Sequence, residues 1–198
     1  MSFDPLSLID QAFDESARVK QALRAIGPDV LRAAQHTAEA FRAGNRLYAC
    51  GNGGSACDAM HLVEELVARY KRHRPGLPAH HLMDGPTLTC WSNDYDFASV
   101  FQRQVETLAR PGDVLVAIST SGNSPNVLAA VEAANQRGVI TIGLLGRDGG
   151  RMRELCTHPL IVPSNATERI QEAHITIIHV MCELLEQILF PEAVSAHG

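Results

Sequence analysis

A histidine and a glutamate stand four residues apart, at His61 and Glu65, in a stretch with helical periodicity. Residues at i and i+4 of a helix project from one face about one turn apart, so these two titratable groups should share a surface. A neutral imidazole and a carboxylate are ligands that zinc accepts, and the glutamate could alternatively act as a general base. An ordinary hydrogen bond on a helix surface is the equally simple interpretation.

A second pair of polar side chains, Gln171 and His179, lies among apolar residues near the C-terminus. Eight residues of helix rise about 12 Å, which is a long span for one small site. Either Gln171 lies in an irregular first turn, or the two side chains reach a point between them, or some groups come from another subunit. His174 is interpreted as a packing residue. The sequence identifies no partner for the remaining histidines, which are His36, His73, His80, His81, His158 and His197.

Two loops rich in glycine and serine, 51–55 (GNGGS) and 119–124 (STSGNS), each follow an apolar run and precede a helical segment. Pro125 suits the first helical position after the second loop, with Ser124 as its N-cap. Free amides and the dipole at a helix N-terminus favour an anion. Neither loop has the pattern of a nucleoside triphosphate or dinucleotide loop, so a lone phosphate is the better ligand. The alternative is that these residues only form tight turns and cap helices.

The elements that must position these groups alternate along the chain. Helical patterns occur at 6–26, 30–42, 56–72, 125–136 and 167–190, strand-like runs at 46–50, 79–82, 113–118, 139–145 and 159–162, and loops at 71–78 and 163–166. This alternation implies right-handed crossovers and a parallel sheet covered on both faces. We therefore expect one domain over 1–198: a three-layer α/β/α sandwich with a five-stranded parallel sheet at about 46–190, extra N-terminal helices at about 5–43, and an irregular tail at 193–198.

Composition and charge argue against several classes of protein. The 198 residues carry a formal net charge of -5, which offers no positive field for nucleic acid or an anionic membrane surface. The five cysteines form no CxxC pair, so reduced thiols are expected. The N-terminus is acidic where a signal peptide would be basic, and no apolar run approaches the roughly 18 residues of a membrane span. We expect a cytoplasmic protein with no nucleic-acid or membrane partner.

Three stretches carry a resemblance to a known family: CGNGGSACDAMHLVEELVARY at 50–70, GDVLVAISTSGNSPNVL at 112–128 and RIQEAHITIIHV at 169–180. They are similar to the phosphoheptose isomerases of the sugar isomerase (SIS) fold, over nearly the whole chain. The Ser/Thr loop alone is shared by many sugar-phosphate enzymes and regulators. The combination of this loop with His61, Glu65, the pair Asn93–Asp94 and the helix that carries Gln171 and His179 is much more specific.

The resemblance implies an aldose-ketose isomerase that converts sedoheptulose 7-phosphate to D-glycero-D-manno-heptose 7-phosphate, in heptose and lipopolysaccharide core biosynthesis. It also implies a homotetramer whose sites are shared between subunits, and one Zn²⁺ per subunit. By position, Glu65 and His179 match the family's base and acid, and the zinc ligands match His61, Glu65, Gln171 and His179. The matched substrate and phosphate contacts are Asn52, Gly53, Gly54, Ser55, Arg69, Asn93, Asp94, Ser119, Thr120, Ser121, Ser124 and Gln171.

Two other functions remain open from the sequence. One is a non-catalytic SIS protein that binds the replication initiator, although such relatives lack the full acid-base set. The other is an isomerase of a different sugar phosphate, for example a pentose 5-phosphate, because the residues alone do not specify the length of the sugar.

Overall fold

The computed structural model describes residues 3–194 of the chain. The α-helices are α1 Pro5–Ala22, α2 Gly27–Arg42, α3 Gly54–Val67, α4 Gly85–Asp94, α5 Val100–Leu108, α6 Pro125–Gln136 and α7 Thr167–Leu189, with 3₁₀ turns at Leu23–Ile26 and Gly150–Glu154. The strands are β1 Leu47–Gly51, β2 Ala79–His81, β3 Val114–Ser119, β4 Ile140–Gly146 and β5 His158–Val162. None of the helices in this part of the chain is long and apolar enough to cross a membrane.

The five strands form one parallel sheet in the order β2-β1-β3-β4-β5. The predicted five-stranded parallel sheet is confirmed, and every strand begins and ends within one residue of its predicted bounds. The chain runs from β1 outward to β2 and then returns to place β3 on the other side of β1. The strand order therefore reverses between β1 and β3, where open α/β sheets collect their ligands.

Alternate residues of the central strand β3 pack into two separate cores. Val114, Val116 and Ile118 join a cluster with apolar residues of α2, α3 and α7. Leu115 and Ala117 join a second cluster with residues of α5 and α6. Each buried aliphatic side chain contributes roughly 1.5–3 kcal/mol, so both faces of the sheet are anchored. The predicted three-layer sandwich is confirmed.

Helix α3 ends at Val67, five residues before its predicted end. The guanidinium of Arg74 donates to the carbonyls of Leu66 (2.7 Å) and Glu65 (2.8 Å), and the amide of Leu77 also donates to Leu66. These donors satisfy carbonyls of the last turn, which would otherwise lack a partner, and turn the chain away from the helix axis.

Two helices, α4 and α5, were not predicted. Asp84 caps α4, accepting a hydrogen bond from the amide of Thr87 at 2.9 Å, but the helix has no buried residue and so shows no apolar periodicity. Of the tail expected at 193–198, Ala193 and Val194 lie outside helix and strand, whereas 195–198, including His197, are outside the described residues.

Candidate active site at the switch point of the sheet

The two glycine- and serine-rich loops emerge side by side from the carboxyl ends of β1 and β3. These strands are direct neighbours, with Gly51 opposite Ile118. Asn52 of the first loop and Asn126 of α6 exchange two amide hydrogen bonds of 2.8 Å. Both loops therefore face the position where a ligand is expected in this fold.

The first loop starts α3 through backbone contacts. Gly53, the N-cap, has a φ of +56°, a conformation that favours glycine, and the amide of Ser55 donates to the carbonyl of Asn52 at 3.0 Å. A Cβ atom on Gly54 would lie 2.5 Å from Nε2 of Gln171. The amide of Gln171 therefore packs against this loop, at the start of α3.

The second loop keeps the first-turn amides of α6 free of a serine cap. Ser124 occupies the predicted N-cap position, but its hydroxyl pairs with that of Ser119 at 3.0 Å and makes no capping bond. Thr120 and Ser121 follow β3 directly, and Oγ of Ser121 accepts from the amide of Asn123 at 3.2 Å. Several hydroxyls are thus grouped at the N-terminus of α6, as an anion would require.

Beyond the loops, α3 and α7 bring three titratable side chains together. Nε2 of His61 lies 3.3 Å from Oε1 of Glu65 and 3.3 Å from Nε2 of His179. One ligand atom from each of the three lies within 4.8 Å of the others. The predicted shared face of His61 and Glu65 is therefore present, and His179 joins them within one chain.

The spacing of these three donors fits a zinc ion. Zinc–nitrogen and zinc–oxygen bonds of about 2.0–2.1 Å in a tetrahedron separate neighbouring ligands by about 3.3 Å. The two distances around Nε2 of His61 have this value. Two histidines and a glutamate also form one of the ligand sets that leave a fourth position for water or substrate.

The remaining predicted site residues lie outside this cluster. Gln171, in the first turns of α7, packs against Gly54 at the N-terminal end of α3, whereas His61 and Glu65 lie in the later turns of α3. Arg69 is exposed, two residues past the end of α3. Asn93 and Asp94 form the exposed end of α4, where the amide of Asn93 donates to the carboxylate of Asp94 at 2.9 Å.

Three residues near the site had no role in the sequence interpretation. Asp58 lies three residues before His61 on α3, and burial raises the pKa of its carboxyl to about 6, although His61 lowers that pKa. The ring of Tyr70 stacks on that of His179, with centroids 5.6 Å apart and planes at 19°. Asn126 pairs with Asn52. Of these three residues, only Asp58 could have been identified from the sequence, because its i, i+3 spacing to His61 places both side chains on one face of the helix.

Two further histidine contacts lie apart from the cluster. His174 is fully buried, and its Nε2 donates to the carbonyl of Leu145 at 3.1 Å; burial lowers the pKa of His174 to about 4. Nδ1 of His36 and Nε2 of His158 are 2.7 Å apart at the start of β5, where burial and then His36 lower the pKa of His158. The sequence predicted neither the contact of His174 with Leu145 nor that of His36 with His158.

Comparison with known proteins points to one group of relatives. The SIS domain family matches residues 13–146. A protein named phosphoheptose isomerase from Pelobacter propionicus is 58% identical over 153 residues, covering 77% of this chain and 81% of the relative. One of the same name from Trichlorobacter lovleyi is 54% identical over 162 residues, covering 81% and 83%.

Solved structures give the same result. The phosphoheptose isomerase of Neisseria gonorrhoeae superimposes with a TM-score of 0.88 at 40% identity, covering 93% of this chain and 100% of that chain. The phosphoheptose isomerase of Francisella tularensis superimposes with a TM-score of 0.90 at 34% identity and the same coverage.

Proposed function

The chain belongs to the SIS domain family and, within it, to the phosphoheptose isomerases, and we propose that it converts sedoheptulose 7-phosphate to D-glycero-D-manno-heptose 7-phosphate. Its place would be the heptose pathway that supplies the lipopolysaccharide core. The observation that carries the proposal is the grouping of His61 and Glu65, on the helix that starts at the first glycine- and serine-rich loop, with His179 of α7.

The phosphate end of the sugar would bind at the switch point. The hydroxyls of the second loop and the backbone amide of Asn126 supply hydrogen-bond donors, and the dipole of α6 favours the negative charge. The residues proposed for the phosphate are Ser55, Ser119, Thr120, Ser121 and Ser124, and those proposed for the sugar are Asn52, Gly53, Gly54, Arg69, Asn93, Asp94 and Gln171.

The distance along α3 suits a long sugar. His61 and Glu65 follow Gly54 by seven and eleven residues, about 10 and 16 Å along the axis. Their side chains lean back toward the N-terminus, which shortens that span. A seven-carbon chain bound with its phosphate at the loops would bring C1 and C2 toward Glu65, whereas a three-carbon sugar would fall short.

Isomerisation requires one base and one acid at C1 and C2. We assign the base to Glu65, which takes a proton from C1 while protonated His179 donates to the carbonyl oxygen O2, giving an enediol. The imidazole of His179 then takes the proton from O1, and the carboxylic acid of Glu65 returns its proton to C2. The C1–H bond is broken and a C2–H bond is formed, so atoms and charges balance.

A zinc ion would be held by His61, Glu65 and His179, and it would supply polarisation of the sugar oxygens. Because an imidazole that binds metal must be unprotonated, the acid-base roles of Glu65 and His179 would require these side chains to leave the metal; otherwise the metal would assist the reaction by polarisation instead. Gln171 remains the proposed fourth ligand. Its amide lies at Gly54, so we propose that it contacts substrate in this position and reaches the metal only after its side chain turns. One zinc per subunit is expected.

The experiment follows aldose formation by NMR with a panel of ketose phosphates of five, six and seven carbons. We expect turnover of the seven-carbon substrate and its abolition by Glu65→Gln. The matched control is Glu64→Gln, which changes the exposed neighbouring glutamate on the same helix and should leave turnover unchanged. Full turnover by Glu65→Gln would reject the base, and turnover of the pentose phosphate alone would reject the substrate.

We propose a cytoplasmic homotetramer, with Asn93 and Asp94 completing the site of another subunit. Their exposed position at the end of α4 leaves them open to a neighbouring copy. An apolar stripe on α1 is the surface we assign to assembly; it consists of Leu6, Ile9 and Phe13, all exposed at i, i+3 and i+7. The net charge of -5 gives no support for a nucleic-acid or membrane partner.

A further inference from the structure

The ring of His179 is oriented by an aromatic neighbour. Tyr70 stacks on it with centroids 5.6 Å apart and planes at 19°, an offset arrangement that aromatic pairs favour. Histidines that bind metal usually donate their other ring nitrogen to a hydrogen-bond acceptor, which fixes the ring. Within residues 3–194, Nδ1 of His179 makes no such bond, and its Nε2 faces His61.

Tyr70 is itself fixed by a buried carboxylate. Glu186 of α7 is 1% exposed, and it accepts hydrogen bonds from the backbone amides of Tyr70 (2.9 Å), Lys71 (2.9 Å) and Arg72 (3.0 Å). Its charge is balanced by Arg74, whose Nε donates to it at 3.0 Å.

His179 and Glu186 are seven residues apart on α7, two turns of one helix. The chain segment after α3 is thus attached to the same helix that carries the histidine. Displacement of the backbone at Tyr70 would break the amide hydrogen bonds to Glu186 and leave a buried carboxylate with fewer donors, which is unfavourable.

We propose that Tyr70 is a positioning residue for His179, and that Glu186 acts through it by holding the backbone at Tyr70. The ring of the tyrosine restricts rotation of the imidazole and keeps Nε2 aimed at His61 and Glu65. The hydroxyl of Tyr70 makes no hydrogen bond within the described residues, so the aromatic ring is the part required. This inference rests on the proposed function only where it concerns turnover.

The test compares Tyr70→Leu, which removes the ring, with Tyr70→Phe, which keeps it. For Tyr70→Leu we expect kcat to fall about tenfold with KM nearly unchanged, and zinc affinity of the metal-free protein to fall about tenfold, the low end of losses found for residues that orient a metal ligand. The zinc constant is measured by competition with a chromophoric chelator. Tyr70→Phe should match the wild type in all three quantities.

A proton NMR spectrum of the metal-free protein gives a readout independent of catalysis. The ring protons of His179, assigned by their absence in His179→Gln, should lose the ring-current shift from Tyr70 in Tyr70→Leu and keep it in Tyr70→Phe. Lys71→Ala changes the adjacent residue, whose ammonium lies 5.2 Å from the centroid of the Tyr70 ring, and it should leave these signals in place.

The outcomes separate the two proposals. Equal losses in Tyr70→Phe and Tyr70→Leu would overturn the positioning role, as would wild-type kcat, zinc affinity and ring-proton signals in Tyr70→Leu. If the wild-type protein turned over no ketose phosphate, the proposed function would fail, and the zinc and NMR comparisons would still decide whether Tyr70 orients His179.

Discussion

Asn52 and Asn126 are joined by two hydrogen bonds of 2.8 Å, in which the side-chain amide of each donates to the side-chain oxygen of the other. Asn52 belongs to the loop after β1, and Asn126 is the second residue of α6. Asn126 is 2% exposed, and its oxygen also accepts from the amide of Val127 at 3.0 Å. Separation of the two would leave buried polar groups without partners, so the pair fixes the distance between the two loops.

Asn126→Ala should therefore weaken both the fold and the anion site. We expect the free energy of unfolding to fall by about 1–3 kcal/mol, since Asn52 loses its partner, and the Kd for the sugar phosphate to rise several-fold as the loops separate. Urea unfolding and calorimetric titration measure the two effects. Asn135→Ala, at the other end of α6, removes a 2.8 Å bond to the carbonyl of Leu155 and should cost stability alone. The same Kd for the sugar phosphate in both variants would show that the Asn52–Asn126 pair does not fix the distance between the two loops.

Gly122 allows the second loop to approach the turn after β4. Its φ is +63°, and a Cβ atom there would lie only 1.9 Å from the carbonyl oxygen of Gly149. Gly122→Ala should displace the loop and reduce phosphate affinity by tenfold or more, with a marked loss of stability. Gly44→Ala, at a φ of +81° with nothing within 4 Å of the added atom, should cost only about 1 kcal/mol from the backbone conformation. Similar stabilities in the two variants would reject the steric explanation.

The centre of the sheet could be predicted from the sequence because β1, β3 and β4 are short apolar runs, buried on both faces and bounded by loop residues. Helix α4 buries no residue, so local periodicity gave no signal for it. The early end of α3 depends on Arg74, whose guanidinium meets the carbonyls of Glu65 and Leu66 only in the folded chain. Helix α5 was missed although Val100, Phe101 and Val105 pack into the second core at helical spacing, so its signal was present in the sequence.

At the site, too, local spacing predicted one contact but not those between residues distant in sequence. The shared face of His61 and Glu65 follows from helix geometry alone, so their separation of four residues was enough to predict it. The approach of His179 depends on how α7 packs against α3, and the resemblance supplied it rather than the spacing. Asn126 and Tyr70 were missed because their partners are distant in sequence, and an asparagine or a tyrosine in a helix or turn is unremarkable by itself.

His174 should make the protein less stable in mild acid. Burial lowers its pKa to about 4 from an ordinary value of 6.5, so the unfolded chain binds the proton more tightly than the folded protein does. Its contribution to stability is complete above about pH 6.5 and is lost as the pH falls toward 4, by up to about 3 kcal/mol. Urea unfolding between pH 4 and pH 7 measures this loss.

The variant that isolates this effect is His174→Gln, which keeps a donor for the carbonyl of Leu145 and removes the titrating group. Its stability should decline less than that of the wild type between pH 6.5 and pH 4, while the buried His158 continues to contribute in both proteins. His73→Gln changes an exposed histidine and should follow the wild type. A decline of the same size in all three proteins would show that His174 isn't responsible.

The apolar stripe on α1 provides a test of assembly. Leu6 and Phe13 are 72% and 70% exposed, and lie on one face of the helix with Ile9 between them. Burial of one such side chain contributes about 1.5–3 kcal/mol, and each 1.4 kcal/mol changes a dissociation constant tenfold. Phe13→Glu, which also introduces a charge, should raise the dissociation constant of the assembly by at least tenfold per contact.

Light scattering after size-exclusion chromatography measures the mass, and far-UV circular dichroism checks that the helices persist. Gln11→Glu adds the same negative charge to an exposed position of the same helix without removing apolar surface, so it should keep the wild-type mass. A tetramer that dissociates in Phe13→Glu but not in Gln11→Glu would assign the interface to the stripe. If both variants kept the wild-type mass, the interface between copies would have to lie outside the stripe on α1. Asn93 and Asp94 would then have to contact another subunit through a different arrangement of the copies.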